Sequence, residues 1–541
     1  MASATPKEIP PPLLPVLAFL SDIFETLRDL FHRIPGSPIL LRYIKSSYQN
    51  DPYRSLLELF LVAFALRTVL KGRTRGEGSG KNWVKFTEKE VDELVDEWTP
   101  QPLVDAPSAV DEDLLESIPV IHGANGSHVK LAPGGKTVLN MALPNWAGMV
   151  ESDKMKQVAI DTLREYGVGT CGPSGFYGTI DVHMKLEEEL AAFIGTEAAI
   201  LYAQAFAAVS SVIPAFAKRG DIIVADRGVN FAIHKGLQIS RSQIKWYAHG
   251  DMKDLERVLQ SVERDRKRKG GKLTRKFIVA EGIFENDGMM LDLPRVLELA
   301  RKYKFRLMLD ESMSFGMIGK HGRGITEHYG IPASEVDILM GSMATGLGAG
   351  GGFCAGSHVV CQHQRINSSA SVFSASLPAM LATTSSHAIS VLQSDPTILT
   401  TLQSNTLLFR QILNKLEALP IEIPECDPSY TPPPASIHPP IANKDAIISV
   451  PSHPQSALIH IFLLNPPPTL EEEEALLQEV VDETVNTAGL LITRARRLRG
   501  QETFEPEPSL KVCISAAFSR KEIEKAAQGL KAALIKVAGS E

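Results

Sequence analysis

Phe305-Arg306-Leu307-Met308-Leu309-Asp310-Glu311-Ser312-Met313-Ser314 is the stretch that decides the fold. Its first five residues read as a short buried strand that ends on the Asp310-Glu311 pair. A second strand, Asp337-Ile338-Leu339-Met340, runs into Gly341-Ser342-Met343-Ala344-Thr345-Gly346-Leu347-Gly348. Outward from this pair, further strands are predicted at 221–225, 244–247, 277–281 and 351–356, separated by helical segments. That alternation predicts a mainly parallel sheet with helices on both faces. Ligands of such sheets sit at the carboxyl ends of the strands, where Asp310 and the glycine-rich turn fall.

A carboxylate at the first strand end can keep a pyridine nitrogen protonated, and a lysine in the turn after the second can form a Schiff base. That is the layout of a pyridoxal-phosphate site. The turn holds Thr345 and no lysine. A threonine hydroxyl has no usable basicity near neutral pH, and losing a positioned acid–base group alone removes a factor of ~10²–10⁴. Lys235 and Lys320, the candidate replacements, read as solvated.

The motifs LDESMSFGMIGKHGRG, from Leu309, and GSMATGLGAGGGFCAG, from Gly341, resemble those of the α-oxoamine synthases, which carry Asp-Glu-Ala-His-Ser and Gly-Thr-Phe-Ser-Lys-Ala at these places. The resemblance spans roughly residues 95 to 535. It puts the family's pyridinium aspartate on Asp310, its histidine on Met313, its Schiff-base lysine on Thr345 and its ring-stacking histidine on Asn230. It also puts the carboxylate-binding Arg-Leu-Arg pattern on Ser509-Leu510-Lys511, where a serine cannot make the bidentate contact of a guanidinium. Loss of lysine and both histidines together is the pattern of one branch, the non-catalytic long-chain-base subunits of the serine palmitoyltransferases.

That resemblance implies an α/β, fold type I pyridoxal-phosphate transferase architecture. It has a mainly parallel sheet in a large domain (138–390), a smaller α/β C-terminal domain (391–541) and N-terminal membrane-associated helices. It implies a chain that is silent alone and completes the site of a catalytic long-chain-base subunit 2 that holds the pyridoxal 5'-phosphate. The heterodimer would condense L-serine with palmitoyl-CoA to 3-ketosphinganine, at the endoplasmic-reticulum membrane, with a small activating subunit and Orm-type regulators. Ser374, in Phe373-Ser374-Ala375-Ser376, would reach toward the partner's cofactor phosphate. Cys171, Gly172, Phe176 and Tyr177 would lie at the shared interface and substrate access; the competing reading of Cys171 is a small buried packing residue. Asp310 is either a vestigial pyridinium partner or, more simply, a structural cap on neighbouring amides or an interface contact. His234, four residues past Asn230, reads as a satisfied helix histidine, and Met313 as packing.

Composition agrees with a folded multidomain chain: 541 residues, 44% hydrophobic and 22% charged. A net charge of −7 without a dense basic run argues against nucleic acid. Five cysteines, Cys171, Cys354, Cys361, Cys426 and Cys513, lack metal or disulfide spacing and read as reduced thiols. No metal site is expected.

In the N-terminal region 1–50, Leu13, Val16, Leu17, Leu20, Ile23, Phe24, Leu27, Leu30, Phe31 and Ile34 share a helical face over 13–34, opposite Asp22, Glu25, Arg28 and Asp29, as in an interfacial helix or one packed on other helices. Pro10, Pro11, Pro12 and Pro15, with no basic start, exclude a cleavable signal peptide. Residues 56–70 are mostly apolar and precede Lys71, Arg73 and Arg75. With the family resemblance they suggest a spanning helix within 51–75 and a cytosolic soluble domain. Residues 76–137 read as linker and N-terminal segment, with a helical run over 88–98. Proline-rich loops are expected at 424–440 and 466–468, and the acidic run Glu471 to Glu474 opens a helix where the macrodipole favours carboxylates.

Overall fold

The computed structural model describes residues 22, 25, 26, 28–30, 32, 33, 35–70, 86–100, 118–132, 134–268, 270, 274–417, 443, 446–496 and 499–539. The chain divides into two compact units, one up to Asp113 and one from Leu114. Most of the amphipathic run over 13–34, the basic residues Lys71, Arg73 and Arg75, the loop 424–440 and Cys426 lie outside the described residues.

In the first unit, helices Ser37–Asn50, Pro52–Leu70 and Glu88–Glu97 form. The last starts on a capping box in which Thr87 and Glu90 bond each other's backbone amides. Among the described residues no helix is long and apolar enough to cross a membrane. The spanning helix expected within 51–75 is thus not found among the described residues. Arg54, Glu58 and Arg67 interrupt Pro52–Leu70, and the uncharged run 59–66 is under half of the ~20 apolar residues a span needs. Leu56, Leu59, Phe60, Val62 and Phe64 are nonetheless exposed.

The second unit opens with strands β1 (Val120–His122), β2 (His128–Ala132) and β3 (Lys136–Asn140). Its large sheet holds β4 (Ala198–Tyr202), β5 (Ile222–Asp226), β6 (Gln243–Tyr247), β7 (Lys276–Glu281), β8 (Arg306–Asp310), β9 (Ile338–Ser342) and β10 (Gly352–Gly356). The strand order is β4-β10-β9-β8-β7-β5-β6. Neighbours from β9 to β6 are parallel, and β10 alone runs antiparallel to both its partners. The central strands are buried on both faces, as parallel strands under two helical layers must be, which is why they read as continuous apolar runs.

A third sheet, β11 (Ile448–Ser449), β12 (Leu458–Leu463), β14 (Thr493–Arg494) and β15 (Leu510–Cys513), forms the C-terminal part with helices Leu470–Glu483 and Arg520–Ala538. Between β12 and β14 in sequence, β13 (Leu490–Leu491) leaves that sheet and pairs in parallel with β3. The segment before the large sheet is therefore tied to the end of the chain.

Candidate functional site

The carboxyl ends of β7, β8 and β9 meet as the sequence predicts. Glu281 and Asp310 are register partners, and Asp310 pairs in register with Met340 of β9. Both carboxyl groups are buried. Asn230, which caps helix Phe231–Ser240 through the amide of Ile233, donates its side-chain amide to Asp310 Oδ2 at 3.0 Å. Its backbone amide donates to Glu281 Oε1 at 2.6 Å. The other oxygen, Asp310 Oδ1, accepts the Ser312 amide at 2.9 Å and the Ser312 hydroxyl at 2.5 Å. Ser342 caps the short helix Met343–Leu347, and inside it the Thr345 hydroxyl donates to the Ser312 carbonyl at 2.7 Å. A continuous chain of hydrogen bonds thus runs Asn230, Asp310, Ser312, Thr345. Of the two readings of Asp310, the contacts are those of a cap on a neighbouring amide.

Burial without a cation raises these acids. Desolvation lifts Asp310, opposed by the bonds from Ser312 and Asn230. Glu281 goes well up through burial, with Asp310 and Glu285 adding like charge. Glu311 is pushed to about 7 by burial, held against that rise by Ser314 and the backbone amides of Ile325 and Thr326.

Met313 packs partly buried against the core. Ser509 is buried with its hydroxyl 2.9 Å from His460 Nδ1, so it faces inward, while Lys511 lies 3.8 Å from Glu285. Lys320 is exposed. Lys235 is not simply solvated: it donates to the carbonyl and side chain of Gln501 and lies over the Phe231 ring. His234 also departs from expectation. It stacks on Trp246 at 5.2 Å, its buried Nε2 has no partner, and burial drops it to about 4.

The two loops read as interface elements are joined to each other. Pro173 and Ala375 form an antiparallel bridge, Ser376 donates its amide to the Gly172 carbonyl at 3.0 Å, and the Ser174 and Ser376 hydroxyls lie 3.0 Å apart. Gly178 closes the turn where a Cβ would meet the Gly172 carbonyl oxygen at 2.0 Å. Cys171 and Tyr177 sit at φ 57° and 64°, left-handed values uncommon for residues with side chains. Cys171 is exposed, which removes the reading of it as a buried packing residue. Phe176, Tyr177 and Phe373 are 66%, 101% and 82% exposed, three aromatics on one loop pair with no cover from their own chain. Ser374 is exposed and makes only a 3.4 Å bond to the Ala375 carbonyl, so its hydroxyl is available.

Three residues of this region were not singled out from sequence. Ser312 was visible as the departure from alanine in the Asp-Glu-Ala-His-Ser pattern. His183 bonds Leu377 O at 2.6 Å through Nε2 while Nδ1 accepts the Ile180 amide, pinning the loop base; no spacing signalled it. His249 bridges Asp226 at 2.6 Å and Asp287 at 2.8 Å. Burial opposes its charge, but the two carboxylates win and raise it well above the usual imidazole value. His249 and Asp287 lie in turns 38 positions apart, and no local spacing signals their meeting.

The chain matches the family Aminotransferase class I and II over residues 137–530. It is similar to Serine palmitoyltransferase 1 of Saccharomyces cerevisiae, 35% identical with 98% of each chain covered, and to Serine palmitoyltransferase 1 of Dictyostelium discoideum, 40% identical with 90% of this chain and 94% of that one covered. Among solved structures, Sphingomonas wittichii serine palmitoyltransferase superposes with a TM-score of 0.65 at 22% identity, over 84% of this chain and 99% of that one, which establishes the fold. That fold implies pyridoxal phosphate. The residues of this chain do not fit it: Thr345 offers no amine, and both oxygens of Asp310 are taken by Asn230 and Ser312.

Proposed function

We propose, for a chain that belongs to the serine palmitoyltransferase 1 family within the class I and II aminotransferase fold, that it is the required non-catalytic subunit of a serine palmitoyltransferase. The complex condenses L-serine with palmitoyl-CoA to 3-ketosphinganine, the first step of sphingoid-base synthesis. The catalytic partner, a long-chain-base subunit 2, holds the pyridoxal phosphate. The observation that carries this reading is the Thr345 hydroxyl spent on the Ser312 carbonyl, in the turn where the reaction needs an amine.

This chain contributes a loop pair. A backbone bond from Ser376 to Gly172 and the Ser174–Ser376 hydroxyl pair hold the loops in one shape, so the aromatic side chains of Phe176, Tyr177 and Phe373 meet the partner without reordering. Ser374 then presents a free hydroxyl to the partner's cofactor phosphate. The complex works at the endoplasmic-reticulum membrane with its soluble part facing the cytosol, with a small activating subunit and Orm-type regulators as further partners. The exposed apolar side chains of helix Pro52–Leu70 support contact with lipid or with those partners.

Co-expression with and without the catalytic partner, measuring serine-dependent CoA release, tests the reading. Release is expected only from the pair; turnover by this chain alone would overturn it. A purely structural role is separated by Ser374→Ala and Cys171→Ala in the assembled complex. Unchanged turnover and unchanged serine selectivity in both would leave scaffolding alone.

A further inference from the structure

We propose that the hydrogen-bonded chain Asn230–Asp310–Ser312–Thr345 is a built-in strut that takes over the cofactor's mechanical role, tying three strand ends together, and that it bars the cofactor even when the amine is restored. The inference rests on the reading that this subunit holds no cofactor of its own.

The strut joins three separate pieces of chain. Asn230 belongs to the turn after β5, Asp310 and Ser312 to the end of β8, and Thr345 to the helix after β9. A pyridine ring bound at these positions would make the same connection, through its nitrogen to the carboxylate and through its aldehyde carbon to an amine. Here the link is made by side chains alone. Asn230 Nδ2 supplies Asp310 Oδ2 with the donor a ring nitrogen would bring, at 3.0 Å. Ser312 fills Oδ1 twice and passes the connection on through its carbonyl to Thr345.

The packing around the strut is closed as well. Gly316, at φ 75°, lets the β8 loop approach the Thr345 helix so closely that a Cβ there would meet the Gly346 carbonyl oxygen at 2.4 Å. The Ser314 hydroxyl and the Ile325 amide hold Glu311, fixing the next turn of the same loop. The Asp310 carboxylate and the Thr345 hydroxyl, which stand where the ring would be met, are therefore paired, and buried polar groups give up such partners only at a cost.

The strut also explains how the subunit stays folded at these strand ends without the group around which its fold is built. Asp310 is buried beside Glu281 with no cation within the network. Three donors, the Asn230 amide and the amide and hydroxyl of Ser312, satisfy the carboxylate instead.

The test compares three full-length proteins assembled with the catalytic partner: wild type, T345K, and the triple variant N230H/S312A/T345K. In the triple variant both side-chain donors to Asp310 are replaced, only the Ser312 backbone amide remains, and the imidazole can still cap the helix and offer a ring face. Each complex is incubated with pyridoxal phosphate, reduced with borohydride and digested. The pyridoxyl-modified peptide spanning position 345 is then quantified by mass spectrometry; the modification is the lysine amine condensed with the aldehyde, one water lost, then reduced. T345K is expected at the wild-type background and the triple variant at least tenfold above it. In parallel, S312A alone should lower the melting temperature of the isolated chain while leaving partner-dependent CoA release measurable. Equal modification of T345K and the triple variant overturns the strut, and so does a triple variant that folds and assembles but stays at background. Neither result touches the dependence of turnover on the partner, which stands or falls by co-expression.

Discussion

Replacing Gly178 with alanine tests whether the joined loop pair is the contribution this subunit makes. The added Cβ would lie 2.0 Å from the Gly172 carbonyl oxygen, 2.5 Å from the Ser376 hydroxyl and 2.6 Å from the Pro173 carbonyl oxygen. Two of these are backbone atoms, so a rotamer change cannot relieve the overlap and the loops must part. Parting them forfeits the Ser376 amide bond to Gly172, the Gly178 amide bond to Pro173 and the Ser174–Ser376 hydroxyl pair, each 3.0 Å long. At about 1 kcal/mol net per bond, closing the pair against the alanine costs roughly 2–4 kcal/mol, and 1.4 kcal/mol is a factor of ten in an equilibrium. Serine-dependent CoA release by the assembled complex should fall by roughly 30-fold or more. The melting temperature of the isolated chain should move little, because the loop pair is largely exposed and adds little to the core. Turnover within twofold of wild type, in a variant that assembles normally, would refute the claim that the closed loop pair serves the partner's site.

His234→Phe should flatten the acid limb of stability. Burial holds the folded histidine at about 4, so the unfolded chain, near 6.5, binds the proton first. Its share of stability is intact above about pH 6.5 and is lost as pH falls toward 4, about 2 kcal/mol by pH 5; urea titrations at pH 7 and pH 5 give the slope, and equal slopes in both proteins would remove the explanation. His249→Gln should cost about 3–5 kcal/mol near neutral pH by stranding Asp226 and Asp287. The folded value lies well above the unfolded one, so the benefit is full below about pH 6.5 and is lost as pH rises through the raised folded value; thermal melts of both proteins should converge toward alkaline pH. Arg410→Ala should destabilise the C-terminal part by about 3–5 kcal/mol, since the guanidinium is buried on Glu417 and the carbonyls of Val450 and Ser452; denaturant titration reads it directly.

The parallel sheet was legible because its strands are short apolar runs with sharp ends, and five of the six expected strands start one residue later or earlier than drawn or end one or two residues on. The sixth, 351–356, loses only its first residue. Strand β4 was missed: Ala198-Ala199-Ile200-Leu201-Tyr202 is a five-residue apolar run only three residues past the apolar end of helix Asp181–Ile194, and a short continuous apolar run cannot be told from buried helix by periodicity. The helix Pro52–Leu70 was legible as a helix, and its charges keep it below the length of uninterrupted apolar chain that a span needs. At the site, the places of Asp310 at a strand end and Thr345 in the turn after the next strand were legible, whereas the bonds among them were not. Hydrogen bonds between Asn230 and Asp310, or among Asp226, His249 and Asp287, join residues dozens of positions apart and leave no local pattern. His234 is a further case: it stacks on Trp246 of the following strand, and its buried nitrogen goes without a partner.

The parallel pairing of Leu139 with Leu490 has a bearing on biosynthesis. About 350 residues must leave the ribosome between one strand and its mate, which at ordinary elongation speeds takes roughly 20–70 s. Throughout that interval the outer flank of β3 has no neighbour to zip onto, a sticky backbone edge in need of a chaperone's shelter. A transcript ending before Leu490 would therefore damage the beginning of the soluble body along with its end.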